Sequence, residues 1–149
     1  MARKLDNGIV ENFFRRDGRL NRWRYFKRIT VVALVMSVII TANFLTDMNA
    51  LGLLSPTGDI IFKGVSLAAL IPIFCLMVRR LHDIGRDEKL AYIAVAINVV
   101  SILSMDHTTI AEPTIFQYIL GIIVSAINLY CLFCPGTRGY NKYGADPLA

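Results

Sequence analysis

Charge is scarce in this chain, and its scarcity is local. Only 18% of the 149 residues are charged, against about 25% in an ordinary soluble domain. Four stretches carry no acid or base at all: residues 29–46, 64–78, 90–105 and 113–133. Cysteine is also sparse, with three residues, which excludes a disulfide-stapled mini-protein. A hydrophobic share of 55% excludes a disordered chain, because such chains lack the apolar surface to bury. There is no collagen-like glycine repeat. No phosphate-cradling loop, H-E-x-x-H, nucleophile motif or paired-carboxylate metal motif occurs, so no motif indicates a reaction.

What fills the uncharged stretches is continuous hydrocarbon, as in ITVVALVMSVIITANFLT and PTIFQYILGIIVSAINLYCLF. A bilayer core about 30 Å thick takes roughly 20 apolar residues of helix. A soluble helix would keep a polar face at the 3.6-residue period, and none of these does. Within hydrocarbon, backbone groups must pair inside their own segment, which selects helices; the alternating strands of a barrel are absent. The expected fold class is therefore all-α: an integral membrane four-helix bundle forming a single domain. Its spans fall at about 29–46, 60–78, 90–105 and 115–133. The second span takes in Lys63, whose ammonium snorkels outward.

Orientation follows from Lys and Arg. Nine of them precede residue 29, four lie between the second and third spans, and two lie in the tail; Lys63 alone falls on the other side. The positive-inside rule then places both termini in the cytoplasm, under a basic cap. The 28-residue charged leader is too long for the n-region of a cleaved signal, so the first span is expected to serve as an uncleaved start.

The basic aromatic segment ENFFRRDGRLNRWRYFKR could stack bases and hold phosphates. It runs straight into a span, however, so the expected partner is the bilayer and its anionic phospholipids, not nucleic acid. Cys75, Cys131 and Cys134 lie near the cytoplasmic span ends and read as buried apolar thiols rather than as a redox pair or zinc site. No metal or cofactor is expected. In the outer loops, Gly52, Pro56 and Gly58 signal turns, and His107, beside Asp106 and Glu112, reads as solvated. The pairs Gly64/Ala68 and Gly121/Ser125 predict close helix approach. Asn43, Asn98 and Asn128 are expected to bond across helices, and Pro72 to kink the second span.

Three polar segments share the cytoplasmic side: DGRLNRWRYFKR, VRRLHDIGRDEKL and CPGTRGYNKYGADPL. They resemble the bacterial inner-membrane family catalogued as domain of unknown function 805. That family has G-R-x-x-R-x-x-(Y/F) before its first span, R-R-L-H-D-x-G-R between its second and third, and P-G-x-x-G-x-N-x-(Y/F)-G-x-D-P at its tail. The matching residues here are Gly18, Arg19, Arg22 and Tyr25; Arg79 to Arg86; and Pro135, Gly136, Gly139, Asn141, Tyr143, Gly144, Asp146 and Pro147. The resemblance implies a bacterial inner-membrane location and carries no established reaction with it.

The residues themselves suggest a site. Arg79 and Arg80 suit a helix C-terminus, Gly85 the left-handed turn after it, and Asp87 the N-cap of the next helix. Asp83 can reach Arg79 or Arg86 along the helix, and Asp146 is another carboxylate for an Arg. Gly18, Gly85, Pro135, Gly136, Gly139 and Gly144 read as structural turns. Arg19, Arg22, Arg79, Arg80, His82, Asp83, Arg86, Asn141 and Asp146 form the candidate cluster. It reads either as a salt-bridged structural cap or as a site for an anionic headgroup or phosphorylated molecule. Catalysis by His82 with Asp83 is a weaker alternative, because adjacent helical residues do not face each other. No residue is assigned as catalytic. The expected role is non-enzymatic: interaction with anionic lipid, with a membrane-protein partner or with further copies of the chain. The alternatives are a small oligomeric transporter or channel subunit, and an enzyme acting on a lipid headgroup.

Overall fold

The computed structural model describes residues 8–49, 53–109 and 112–147. Arg3, Lys4 and the turn residue Gly52 of the sequence reading lie outside them. The described residues form five helices: α1 (Gly8–Phe13), α2 (Arg22–Asp47), α3 (Pro56–Ile84), α4 (Lys89–Ser104) and α5 (Ile115–Phe133). α2, α3 and α5 are long and apolar enough to cross a membrane. At 1.5 Å per residue, the 26 residues of α2 and the 29 of α3 make rods of about 39 and 44 Å. Both exceed a hydrocarbon core of about 30 Å, so their ends stand clear of it. α4, with 16 residues, reaches only about 24 Å.

Local chemistry sets the helix ends. Asn21 accepts from the Arg24 N–H at 2.8 Å and so caps α2. This cap starts α2 seven residues before the uncharged stretch begins, making WRYFKR its first turns. Ser55 caps α3 through the Gly58 N–H at 3.1 Å, with Pro56 at the first helical position, where its missing N–H costs nothing. Thr114 and Gln117 form a capping box on α5. Gly85 ends α3 with φ 83°, a left-handed backbone open to glycine. The predicted cap of α4 differs: Glu88, not Asp87, occupies the N-cap position, and its side chain makes no capping bond. The Glu88 carboxylate is drawn instead to Arg16 at 2.9 Å. α3 stays helical through Pro72.

The four long helices form a ring in chain order, with α2 and α5 closing it as the loosest seam. Both described ends of the chain lie at one end of this ring, with the α3–α4 turn. The core gathers there: Leu20, Tyr25, Leu76, Met77, Val78, Leu81, Ala91, Ala94, Ile127 and Cys131. Ala91 and Ala94 are the small residues that let α4 close on its neighbours. Toward the other end, burial fades. Within the most apolar stretches of α2, α3 and α5, only 0%, 22% and 11% is buried inside the protein. The remainder, including Leu34, Val38, Ile71, Ile119 and Ile122, is a surface that only lipid can cover. Gly64 and Gly121, expected at close helix contacts, have nothing within 4 Å of an added Cβ. Those pairs face outward, and tight approach occurs elsewhere, at Gly58 and Gly136.

Candidate functional site, a buried arginine cluster at the basic end

Because α3 outruns the apolar slab, its last turns carry Arg79, Arg80, His82 and Asp83 into the layer formed by the chain's start and tail. Arg80 is fully buried. Its Nε donates to the Cys131 carbonyl at 2.7 Å, its Nη2 to the Cys134 carbonyl, and its Nη1 to the Leu20 carbonyl at 3.4 Å and to the Asp83 carboxylate at 2.5 Å. The Cys131 and Cys134 carbonyls sit at the C-terminus of α5, where helix carbonyls have no intrahelical partner and the dipole is negative. Arg80 therefore caps α5 from the side.

Arg19 approaches Asp83 from the other flank, with Nε 3.1 Å from Oδ1. Its remaining donors gather the tail: Nη1 to the Gly139 carbonyl at 2.5 Å and the Gly144 carbonyl at 3.3 Å, and Nη2 to the Thr137 carbonyl. One carboxylate thus serves two buried guanidiniums. The partners differ from those expected along the helix. Asp83 pairs with Arg80 at i,i+3 and with Arg19 from 64 residues away. Arg79 and Arg86 point elsewhere. Arg79 sends Nη1 to the Glu11 carbonyl at 3.1 Å, and its own carbonyl accepts from the Leu20 N–H at 3.0 Å. Arg86 is exposed and lines a separate cleft with Lys89 and Tyr130.

The tail in turn caps α3. Thr137 donates twice to the Asp83 carbonyl, from N at 2.8 Å and Oγ1 at 3.0 Å. Asn141 donates to the His82 carbonyl at 3.0 Å and to Thr137 Oγ1 at 2.8 Å. Asn141 and Gly144 pair through both backbone groups. Asp146 accepts from the Gly139 N–H at 3.0 Å. His82 stacks on Tyr143 with centroids 3.8 Å apart, and its Nδ1 lies 3.3 Å from the Gly18 carbonyl. Gly18, Gly85, Gly139 and Gly144 adopt positive φ, as turns there require. Gly136 has a different reason: a Cβ there would stand 2.2 Å from Asp83 Oδ2. Thr137 was not legible as a site residue, since nothing in a single threonine signals a double bond to a distant carbonyl.

Beside the cluster opens a cleft of about 210 Å³. Arg80 and Asp83 line it, together with Arg22, Arg138 and Asp146. Arg22 and Arg138 are exposed. The donors of Arg19 and Arg80 are directed inward, so the cations available to an outside ligand here are these two.

A second charge cluster sits at the opposite end. Asp59, 7% exposed, accepts from Lys63 Nζ at 2.5 Å and lies 2.9 Å from His107 Nδ1. His107 packs on Phe62 at 4.2 Å. It is therefore held, not merely solvated as expected. Asp47 receives the Ser55 N–H at 2.9 Å and its hydroxyl at 2.7 Å. A Cβ on Gly58 would meet the Asp47 carboxylate at 1.9 Å. Of the three intramembrane asparagines, Asn43 bonds across helices, to the Gly58 carbonyl at 3.0 Å. Asn98 and Asn128 donate back to their own helices, to the Ala94 and Val124 carbonyls at 2.8 and 3.0 Å. The cysteines are free thiols. Among the described residues, no group of three His, Cys, Asp or Glu side chains could hold a metal ion.

No curated protein and no solved structure matches the chain. A family model described as "Protein of unknown function (DUF805)" matches residues 13–145. That span takes in the Arg19, Arg80 and Asp83 cluster, the tail that closes it and all four long helices. The chain belongs to this family.

Proposed function

We propose that this protein is a non-enzymatic, multi-pass protein of a bacterial inner membrane, with its basic end in the cytoplasm. In this reading it binds anionic phospholipid headgroups at that end and acts by interaction with other membrane proteins or with further copies of itself. The orientation rests on the fifteen of sixteen bases gathered at one end. The observation that carries the binding role is the division of labour among the arginines. Arg19 and Arg80 are buried and hold the fold together, whereas Arg22 and Arg138 stand exposed at the mouth of the 210 Å³ cleft. Phosphate is the natural partner of such guanidiniums. Trp23 stacked on Phe26, with Lys27 over the Trp23 ring at 5.1 Å, adds an interfacial aromatic and basic face on the same end. His82, committed to Tyr143 and Gly18, supports a structural rather than a catalytic role.

The test is native mass spectrometry of the full chain released from bilayers of phosphatidylglycerol mixed with phosphatidylcholine. The wild type retains phosphatidylglycerol, and Arg22→Ala/Arg138→Ala loses it while keeping its thermal transition. Equal retention by both proteins would end the headgroup reading. Arg79 and Arg80 are unsuitable for this test, because their replacement removes structure along with charge.

A further inference from the structure

A cavity of about 440 Å³ lies among the four long helices, level with the first turns of α2 and the last turns of α3 and α5. Its size falls within the roughly 300–1,000 Å³ of small-molecule sites. Most of its wall is apolar, from residues such as Ile73, Met77, Leu129 and Leu132. Four polar residues interrupt that wall: Tyr25, Asn98, Ser125 and Asn128. No charged residue lines it.

The polar groups are not used up by the protein. Tyr25 is 2% exposed, yet its hydroxyl has no hydrogen-bond partner among the described residues. A buried, unpaired hydroxyl is costly and calls for an occupant. Asn98 and Asn128 each donate one amide N–H to a carbonyl of their own helix. A carbonyl only accepts, so the amide nitrogen must face it. This leaves the Oδ1 acceptors of both residues to the cavity side of the bond. The site therefore offers acceptors, plus one hydroxyl that can both give and take. Cavities that remain empty are apolar, and this one is not.

The occupant's chemistry follows. It must be largely hydrocarbon, to match the wall. It must be uncharged, because an ion here would have no counter-charge in a low-dielectric surround. It must carry a hydroxyl, to donate to Asn and pair with Tyr25. Entry is available from the side, because both α2 and α5 line the cavity and their seam is the loosest of the ring. We infer that the bundle binds a neutral, hydroxyl-bearing lipid in this cavity, its headgroup between Tyr25, Asn98 and Asn128. The site is separate from the anionic headgroup cleft, and neither reading depends on the other. A glyceride and an isoprenoid alcohol both present this chemistry.

The experiment uses the full chain in phosphatidylcholine nanodiscs with dioleoylglycerol in one arm and farnesol in the other. Retention is read by native mass spectrometry and stabilisation by thermal shift. At least one probe is expected to bind, and the arm in which it binds identifies the source. Tyr25→Phe and Asn128→Leu preserve volume and are each expected to weaken binding about tenfold, as for loss of one hydrogen bond. Without added lipid, Tyr25→Phe is expected to melt no lower than wild type, since it removes an unpaired hydroxyl. Failure of both probes to bind would overturn the inference and leave water as the occupant. Equal binding by wild type and Asn128→Leu would overturn it too, placing the probe on the lipid-facing surface. A lower melting temperature for lipid-free Tyr25→Phe would show that the hydroxyl serves the fold, and would remove the argument's basis. Should Tyr25→Phe not fold, that same conclusion follows, and Asn128→Leu alone then reports on binding.

Discussion

The two ends of the bundle hold their charges in different ways. At the basic end, hydrogen bonds join residues far apart in the chain: Arg80 to Cys131, 51 positions away, and Arg19 to Gly144, 125 positions away. Start, middle and tail meet on one carboxylate, and the groups that meet are buried. At the other end, Asp47 with Ser55 and Asn43 with Gly58 tie neighbouring helices across a single loop. Asp59 reaches His107, but the side chains of Lys63 and His107 remain 22% and 20% exposed. Water can share the work there. The difference teaches where charge is architectural in this protein. It is architectural where removing one partner leaves another ion buried with nothing to meet it.

The sharpest test of that contrast is Asp83→Ala. It strips the carboxylate from Arg19 and Arg80 together, and breaking a buried pair costs about 3–5 kcal/mol. Thermal denaturation in mild detergent should show the largest loss of any single polar substitution in this set. A loss no greater than that of a surface variant would break the comparison. Gly136→Ala probes the same carboxylate by crowding it. The new methyl would stand 2.2 Å from Asp83 Oδ2, and relieving such an overlap costs about 1–3 kcal/mol. Because the tail would be pushed off, protease sensitivity after residue 134 should rise along with the fall in melting temperature.

The matched substitution at the other end is Asp59→Asn. It keeps an oxygen for His107 and a similar shape but removes the charge facing Lys63. With both partners partly hydrated, the expected cost is about 1–2 kcal/mol, less than for Asp83→Ala. Equal costs at the two ends would mean that burial, not the meeting of distant segments, decides the matter.

Much of this was legible from the sequence, and the limits have physical causes. The four uncharged stretches located the four long helices, because a span must be apolar along its whole length and no tertiary knowledge is needed to see that. Their ends were less legible. α2 begins at Arg22, not near residue 29, because Asn21 caps it and its first turns lie outside the hydrocarbon, where charge is permitted. The members of the cluster were legible as a group, since Arg19, Arg80, Asp83 and Asn141 all fall in segments brought to one side. Their pairing was not. Helical spacing offered Arg79 and Arg86 to Asp83, whereas the actual second partner comes from another segment. Small residues misled in the same way. Gly64 and Gly121 have the spacing of a close contact but face outward, while Gly58 and Gly136 are tight because of carboxylates that no local pattern foretells. His107 was noticed beside Asp106 and Glu112, yet its partner is Asp59 on α3.

The smallest expected effect belongs to the outermost loop, where a carboxylate is exposed and its bonds are local. Asp106 accepts from Thr108 Oγ1 at 2.6 Å, from Thr108 N at 2.9 Å and, more weakly, from Thr109 Oγ1 at 3.4 Å. The Thr108 hydroxyl bond first, and then its N–H, hold the Asp106 carboxyl below the usual carboxylate range. A pKa lowered in the folded loop means that the loop gains order from this group at any pH above the ordinary aspartate value of about 4. That contribution is lost as pH falls through the lower, folded value. Titration followed by NMR in micelles should therefore show the Thr108 amide shifting with a midpoint below the ordinary value, with the change confined to residues near 106. Asp106→Asn keeps an acceptor but cannot titrate, so the shift should vanish while the loop keeps its fold. If Asp106 instead titrated at its ordinary value, even these local bonds would be too exposed to bias a proton. The contrast between the two ends would then be wider than the static geometry indicates.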